Sequence, residues 1–147
     1  MNIADLEDYL LSEQADFELI WHDKPILSLA DAAGLFDLAK AAKTIILEGD
    51  TGLFAVILSS AYGKLNLEEL RQRLSFSRLK LASSKKIEQK TGFLPPNIPL
   101  VGHKLPTMID KKLLESDYLF GGSGHPLCTL KIDPQDLLYL NEISLQI

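Results

Sequence analysis

Two apolar runs joined by a polar turn constrain this chain more than any other feature. Thr44-Ile45-Ile46-Leu47 and Leu53-Phe54-Ala55-Val56-Ile57-Leu58 flank Glu48-Gly49-Asp50-Thr51-Gly52. β-Branched and apolar content predicts two strands, and the intervening turn predicts a hairpin in the middle of a core. Lys43 stands where the first strand begins. Lysine is almost never fully buried without a partner. Here it is either a rim residue whose stem snorkels to water or a charge held in a pocket for chemistry. The residues alone leave both readings open.

A hairpin of this kind needs a core around it. The 147 residues suffice for one ordinary domain and leave little room for a second. A hydrophobic fraction of 46% with 24% charged residues belongs to a soluble globular protein. No apolar run approaches the ~18 residues of a membrane span. Met1 to Asp5 has no basic segment, so no signal peptide is expected. The single cysteine, Cys128, excludes an internal disulfide and a cysteine-based metal site. These features fit a reducing cytoplasm.

Charge is unevenly placed. Residues 60–112 carry eleven basic side chains against four acidic ones, although the whole chain has a net charge of −5. A basic middle in an acidic protein is either a polyanion footprint or the solvated faces of amphipathic helices.

In chain order, Ile3, Leu6 and Tyr9 or Leu10 predict an amphipathic helix over 3–13. Phe17 to Trp21 reads as a strand and His22-Asp23-Lys24-Pro25 as a turn. Ser28 with Asp31 forms a capping pair for a short helix whose Leu29, Ala32 and Ala33 face inward. Asp37 to Ala42 is a helical turn leading into the hairpin, and Ser59 to Gly63 is a loop after it. Asn66 caps a helix to Leu74, and Leu79 to Ala82 is a strand. Ser83 or Ser84 caps a helix to Lys90, stopped by Gly92. Thr107 to Asp110, Tyr118 to Phe120 and Cys128 to Ile132 are strands. Asp133-Pro134 opens a final short helix. Trp21, Phe17 and Cys128 read as core residues, and His22 as a turn residue.

Two loops carry possible chemistry. Pro95, Pro96 and Pro99 forbid a helix and give a stiff loop, suited to a pocket wall or to a plain connection. Gly121-Gly122-Ser123-Gly124-His125 follows a strand. Its glycines let the backbone approach a ligand and present N–H donors. It is not a P-loop, since no Gly-Lys-Ser/Thr follows.

The order of these pieces resembles the YbaK/EbsC family, free-standing relatives of the editing domain of bacterial prolyl-tRNA synthetases. The matching stretches are His22 to Pro25, Ala32-Ala33 and Ala42-Lys43-Thr44-Ile45-Ile46-Leu47. Further on come Thr91-Gly92, Pro99 to Gly102, Leu105 to Asp110 and Gly121 to His125, running into Leu130 to Leu138. The family has a glycine-to-proline element in the loop after the middle helix. There Pro96 replaces the usual glycine, and the proline is Pro99, one place early, or is replaced by Leu100.

The resemblance implies an α/β (α+β) fold, a mixed, barrel-like β-sheet flanked by helices, in one domain over 1–147. It implies hydrolysis of the ester of mischarged tRNA, with proline tRNA and a small wrong amino acid as the expected substrate. The partners are then the tRNA acceptor end and prolyl-tRNA synthetase; neither metal nor cofactor is implied. Chemistry is expected at Lys43, Gly122 and His125. Substrate contacts are expected at His22, Thr44, Ser59, Pro95, Ile98, Pro99, Gly102, His103, Gly121, Ser123 and Gly124. His125 or His103 can serve as base, or the free ribose hydroxyl assists and no protein nucleophile is needed. The sequence offers no nucleophile elbow and no paired metal histidines. A non-catalytic module that binds tRNA ends or a synthetase is the alternative.

Overall fold

The computed structural model describes the backbone of residues 1–147 and every side chain except that of Leu29. Asn2 accepts from the Asp5 N–H at 2.8 Å, and the Asp5 carboxylate accepts from the Asn2 N–H at 3.2 Å. This capping box starts helix α1 (Ile3–Ser12), which buries Leu6 and Leu10 one turn apart. Strand β1 (Phe17–Trp21) follows, then the single turn α2 (Leu29–Ala32). Ser28 accepts from the Asp31 N–H, and Asp31 reaches back to the Leu27 N–H rather than to Ser28. Ala32 is buried as expected. Ala33 is exposed instead, because the helix stops before it and the chain turns at Gly34, with φ of 86°. The inward face expected for Leu29 lies outside the described residues.

The expected helical turn before the hairpin is a short 3-10 segment, Leu38–Lys40, capped by Asp37. The hairpin is longer than its apolar runs. β2 (Ala42–Gly49) and β3 (Gly52–Ser59) stay in register from Ala42 opposite Ser59 to Gly49 opposite Gly52. The turn is therefore Asp50-Thr51 alone, the two-residue connection favoured in hairpins. Gly49 is required by space, since a Cβ there would lie 2.4 Å from the Phe76 ring. Ser59, expected in a loop, ends the strand instead.

Asn66 caps α3 (Leu67–Arg73) by accepting from the Glu69 N–H at 3.0 Å. β4 (Lys80–Leu81) is shorter than expected. Ser83 caps α4 (Ser84–Thr91), and Gly92 ends it in the left-handed region. β5 (Pro106–Ile109), β6 (Leu119–Gly122), β7 (Cys128–Ile132) and α5 (Leu137–Leu140) lie near their expected places. A last strand, β8 (Glu142–Gln146), was not anticipated, although Ile143 and Leu145 alternate with polar residues at strand period.

The strands form two sheets. The antiparallel order β1-β7-β6 makes the smaller one, and β4-β2-β3-β5-β8 makes a mixed one in which β5 runs parallel to both its neighbours. The expected mixed β structure flanked by helices is present, divided between two sheets, and no sheet closes into a barrel among the described residues. Ala41 and Phe120 pair in parallel at the point where the sheets meet.

β3 is buried on both faces, and strand alternation sorts its side chains. Phe54, Val56 and Leu58 join Leu70 of α3 on one side. Ile57 packs on the other among Leu6, Leu10, Leu130 and Leu137, between the sheets. A third cluster, with Ile46, Ala55, Ile87 and Ile98, seats α4 beside the proline loop. Leu58 and Leu130 are fully buried, so cutting either to Ala would cost about 2–5 kcal/mol. This rigid frame fixes the start of β2 against the end of β6.

Candidate active site at the seam of the two sheets

A cavity of about 500 Å³ opens where β2 meets β6. Its size suits a small-molecule or nucleotide ligand. The start of β2 forms one wall, with Lys43, Thr44 and Ile46. The loop from Gly121 to His125 forms the second, and Pro95 to Ile98 the third. Of the expected site residues, Lys43, Thr44, His22, Pro95, Ile98, Gly121, Gly122, Ser123, Gly124 and His125 line this one space. Ser59, Pro99, Gly102 and His103 do not.

Each of those four has other partners. Ser59 is buried and donates its hydroxyl to Asp110 at 2.8 Å, which also accepts the Ser59 N–H. Pro99 is buried behind the wall, and its carbonyl accepts from the Thr44 hydroxyl at 3.4 Å. Gly102 faces α1, where a Cβ would lie 2.7 Å from the Met1 sulfur. His103 is 1% exposed and accepts the Leu105 N–H on Nδ1. Burial lowers its pKa from 6.5 to about 4, so it stays neutral.

β2 presents its edge to the cavity as well as its side chains. The Ile46 carbonyl accepts from the Ala82 N–H on the side away from β3. Alternation in an antiparallel ladder turns the Thr44 N–H and C=O to that same edge. β4 covers only Leu47 and Glu48, so the edge is open at Thr44. Lys43 shares the parity of Ile45 and Leu47, which pack toward α3. It sits at the strand's start, exposed, on the cavity wall. Among the described lining residues it carries the one formal charge, and no carboxylate lines the cavity.

The glycine loop is held by close packing. A Cβ on Gly122 would lie 2.3 Å from the Ile98 carbonyl oxygen, and one on Gly121 would lie 2.5 Å from Leu100. The Leu100 N–H donates to the Gly122 carbonyl at 2.9 Å, which seats the proline loop on β6. The Ser123 hydroxyl donates to the Cys128 carbonyl at 2.7 Å and accepts from the His125 N–H at 3.2 Å. The Leu127 N–H donates to Nδ1 of His125 at 3.1 Å. That bond requires an unprotonated Nδ1, so the neutral ring carries its proton on Nε2 and acts as a donor there. His22 is fixed differently: Nδ1 lies 2.6 Å from the Lys24 carbonyl and so donates, and Nε2 lies 3.2 Å from the Thr129 hydroxyl.

Several lining residues carried no signal in the sequence. Ile26 to Ser28 and Phe36 close the cavity from the α2 side, and Leu81, Ala82 and Ile87 from the α4 side. Phe36 packs on Phe120 with ring centroids 4.6 Å apart, a contact spanning most of the chain. Trp21, expected in the core, is 56% exposed beside this cavity, whereas Phe17 packs against the core as expected. Cys128 is buried as expected and also lines the cavity.

The site is thus an apolar cleft with a rim cation, a tightly packed glycine loop and a histidine held through Nδ1. The family model of the aminoacyl-tRNA editing domain matches residues 24–140, and the chain belongs to that family. No curated protein matches it. Among solved structures, hypothetical protein APE2540 superposes with a TM-score of 0.82 at 22% identity, covering 96% of both chains. A candidate trans-editing enzyme for prolyl tRNA synthetase gives 0.78 at 20% identity, covering 99% of this chain and 95% of that one. A scaffold protein from computational epitope grafting gives 0.80 at 19% identity, covering 97% and 93%. These likenesses show the shared fold. No helix of the structure is long and apolar enough to cross a membrane.

Proposed function

We propose that residues 1–147 form one domain that acts in trans, in the cytoplasm, as an aminoacyl-tRNA deacylase. Its substrate is the ester of mischarged tRNA, with proline tRNA carrying a small wrong amino acid as the first candidate. The observation that carries the reading is the convergence of Lys43, Gly121 to Gly124 and His125 on one cavity within an editing-domain fold.

The chemistry needs little from the protein, because an aminoacyl ester is already activated. Water adds to the carbonyl carbon, and the tetrahedral oxyanion needs hydrogen-bond donors. His125 Nε2–H and the Thr44 backbone N–H are such donors. The intermediate then expels the ribose oxygen. The neighbouring ribose hydroxyl passes the water's proton to that oxygen, so no side chain acts as base. The products are the free amino acid and tRNA with both terminal hydroxyls restored. Lys43 at the mouth positions the terminal nucleotide through its phosphate or ribose. Pro95, Ile98 and the apolar wall exclude bulk water from the carbonyl.

The test is loss of labelled amino acid from mischarged proline tRNA. Release by the wild-type protein supports the reading. Binding of tRNA without release would replace it with the non-catalytic module.

A further inference from the structure

We infer that Trp21 is a stacking platform for the nucleobase that precedes the terminal adenosine. The inference rests on the deacylase reading and adds a binding residue to it. Trp21 is the last residue of β1. Phe17 and Leu19 share its face of the strand by alternation, and both pack into the core between the sheets. The core stops short of Trp21, and the cavity lining begins at the next residue, His22. The indole meets the His125 ring at a centroid distance of 5.0 Å and an interplanar angle of 70°. His125 lines the cavity, so the indole is anchored to its edge.

Tryptophan is usually highly buried, because its large ring gains more from burial than other side chains do. This one faces inward by parity yet stays 56% exposed. Such a surface suits a flat, uncharged partner. The 3′ end of tRNA is single-stranded, and proteins hold such strands by stacking bases on aromatic rings. With the aminoacyl-adenosine in the cavity, the preceding base would reach the mouth, and Lys43, on the same lining, offers a cation to the linking phosphate. The rim cation and the lack of carboxylates among the described lining residues favour a nucleic acid over an apolar peptide segment.

Trp21 is the chain's one tryptophan, so its emission reports on this position alone. The experiment titrates the protein with the unacylated trinucleotide CCA while following that emission, then measures CCA affinity for W21A and W21F by calorimetry. Saturable quenching is expected. W21A should bind about 5- to 150-fold more weakly, the fold-change equivalent of one stacked base, and W21F should keep most of the affinity. Equal affinity of wild type and W21A, with wild type still releasing amino acid from tRNA, would overturn the platform alone. Quenching by an apolar peptide but not by CCA would also overturn it. A wild-type protein that neither binds CCA nor deacylates would overturn the deacylase reading and the platform together.

Discussion

Lys86, in the first turn of α4, places its ammonium 2.7 Å from the carboxylate of Glu48 on β2. Lys80 approaches the same group at 3.5 Å. The Lys86 hydrogen bond, opposed by desolvation and aided by the attraction of both lysines, holds the Glu48 carboxyl below its ordinary value. The pair ties the helix that carries Ile87 to the strand that carries Lys43. A depressed carboxyl contributes stability that is present above the unfolded value of 4.5 and is lost as pH falls through the folded one. E48Q should therefore lower stability at neutral pH and flatten its loss on acidification. Urea midpoints between pH 7 and pH 3 check this; parallel curves for the two proteins would refute it.

The second prediction concerns His103. Burial holds its folded pKa at about 4 against 6.5 unfolded. Between those values the unfolded chain binds the proton first, so this residue favours unfolding as pH drops from 6.5 toward 4. The full effect below pH 4 is on the order of 3 kcal/mol. H103N keeps an acceptor for the Leu105 N–H and removes the titration. Its midpoint should fall less than that of wild type between pH 7 and pH 4.

Lys43 gives the sharpest activity prediction. The side chain is exposed and forms no ion pair among the described residues, so K43A should unfold within about 0.5 kcal/mol of wild type. Deacylation should drop by about 100-fold, the scale of misplacing a substrate by about 1 Å when a positioning contact is lost. Thermal melts and labelled amino-acid release measure the two sides. Undiminished release would remove Lys43 from the mechanism.

Gly122 tests the wall. A methyl group there would strike the Ile98 carbonyl, whose backbone cannot yield cheaply. G122A should lose about 1–3 kcal/mol and shift the proline loop. Activity should fall even at temperatures where the variant stays folded. A crystal structure of the variant with an unmoved loop would contradict this.

The basic segment next to the cavity yields a binding prediction. Lys86 is engaged by Glu48, whereas Lys85 and Lys90 are exposed on the same helix without ion pairs among the described residues. The double variant K85E/K90E should bind tRNA more weakly and with a shallower dependence on salt. Identical salt slopes would show that the acceptor stem lies elsewhere.

Local chemistry made most elements legible. The caps at Asn66, Ser83 and Asp133, and the left-handed Gly92, are signals carried within a few residues. So is the placement of the lysine at the mouth of β2. What escaped is set by partners far along the chain. Ser59 looked like a site residue beside the hairpin, yet its hydroxyl belongs to Asp110, 51 positions on. Gly102 and His103 sat in a loop whose first half lines the cavity, but the chain passes under α1 before reaching them. Trp21 has core composition and a core-facing parity, and only the end of the core beside it leaves it in water. β8 was missed because its parallel neighbour, β5, lies more than thirty residues upstream and no hairpin turn announces the pairing.

The smaller sheet has a consequence for biosynthesis. β7 is its central strand and holds both β1 and β6, so Phe17 to Trp21 and Leu119 to Gly122 have no common partner until Cys128 to Ile132 has been made. His22 and Thr129, which touch across that sheet, are 107 residues apart in the chain. No fragment that stops before Cys128 can therefore assemble the cleft, whose two flanks should come together in a single step once β7 pairs with both neighbours.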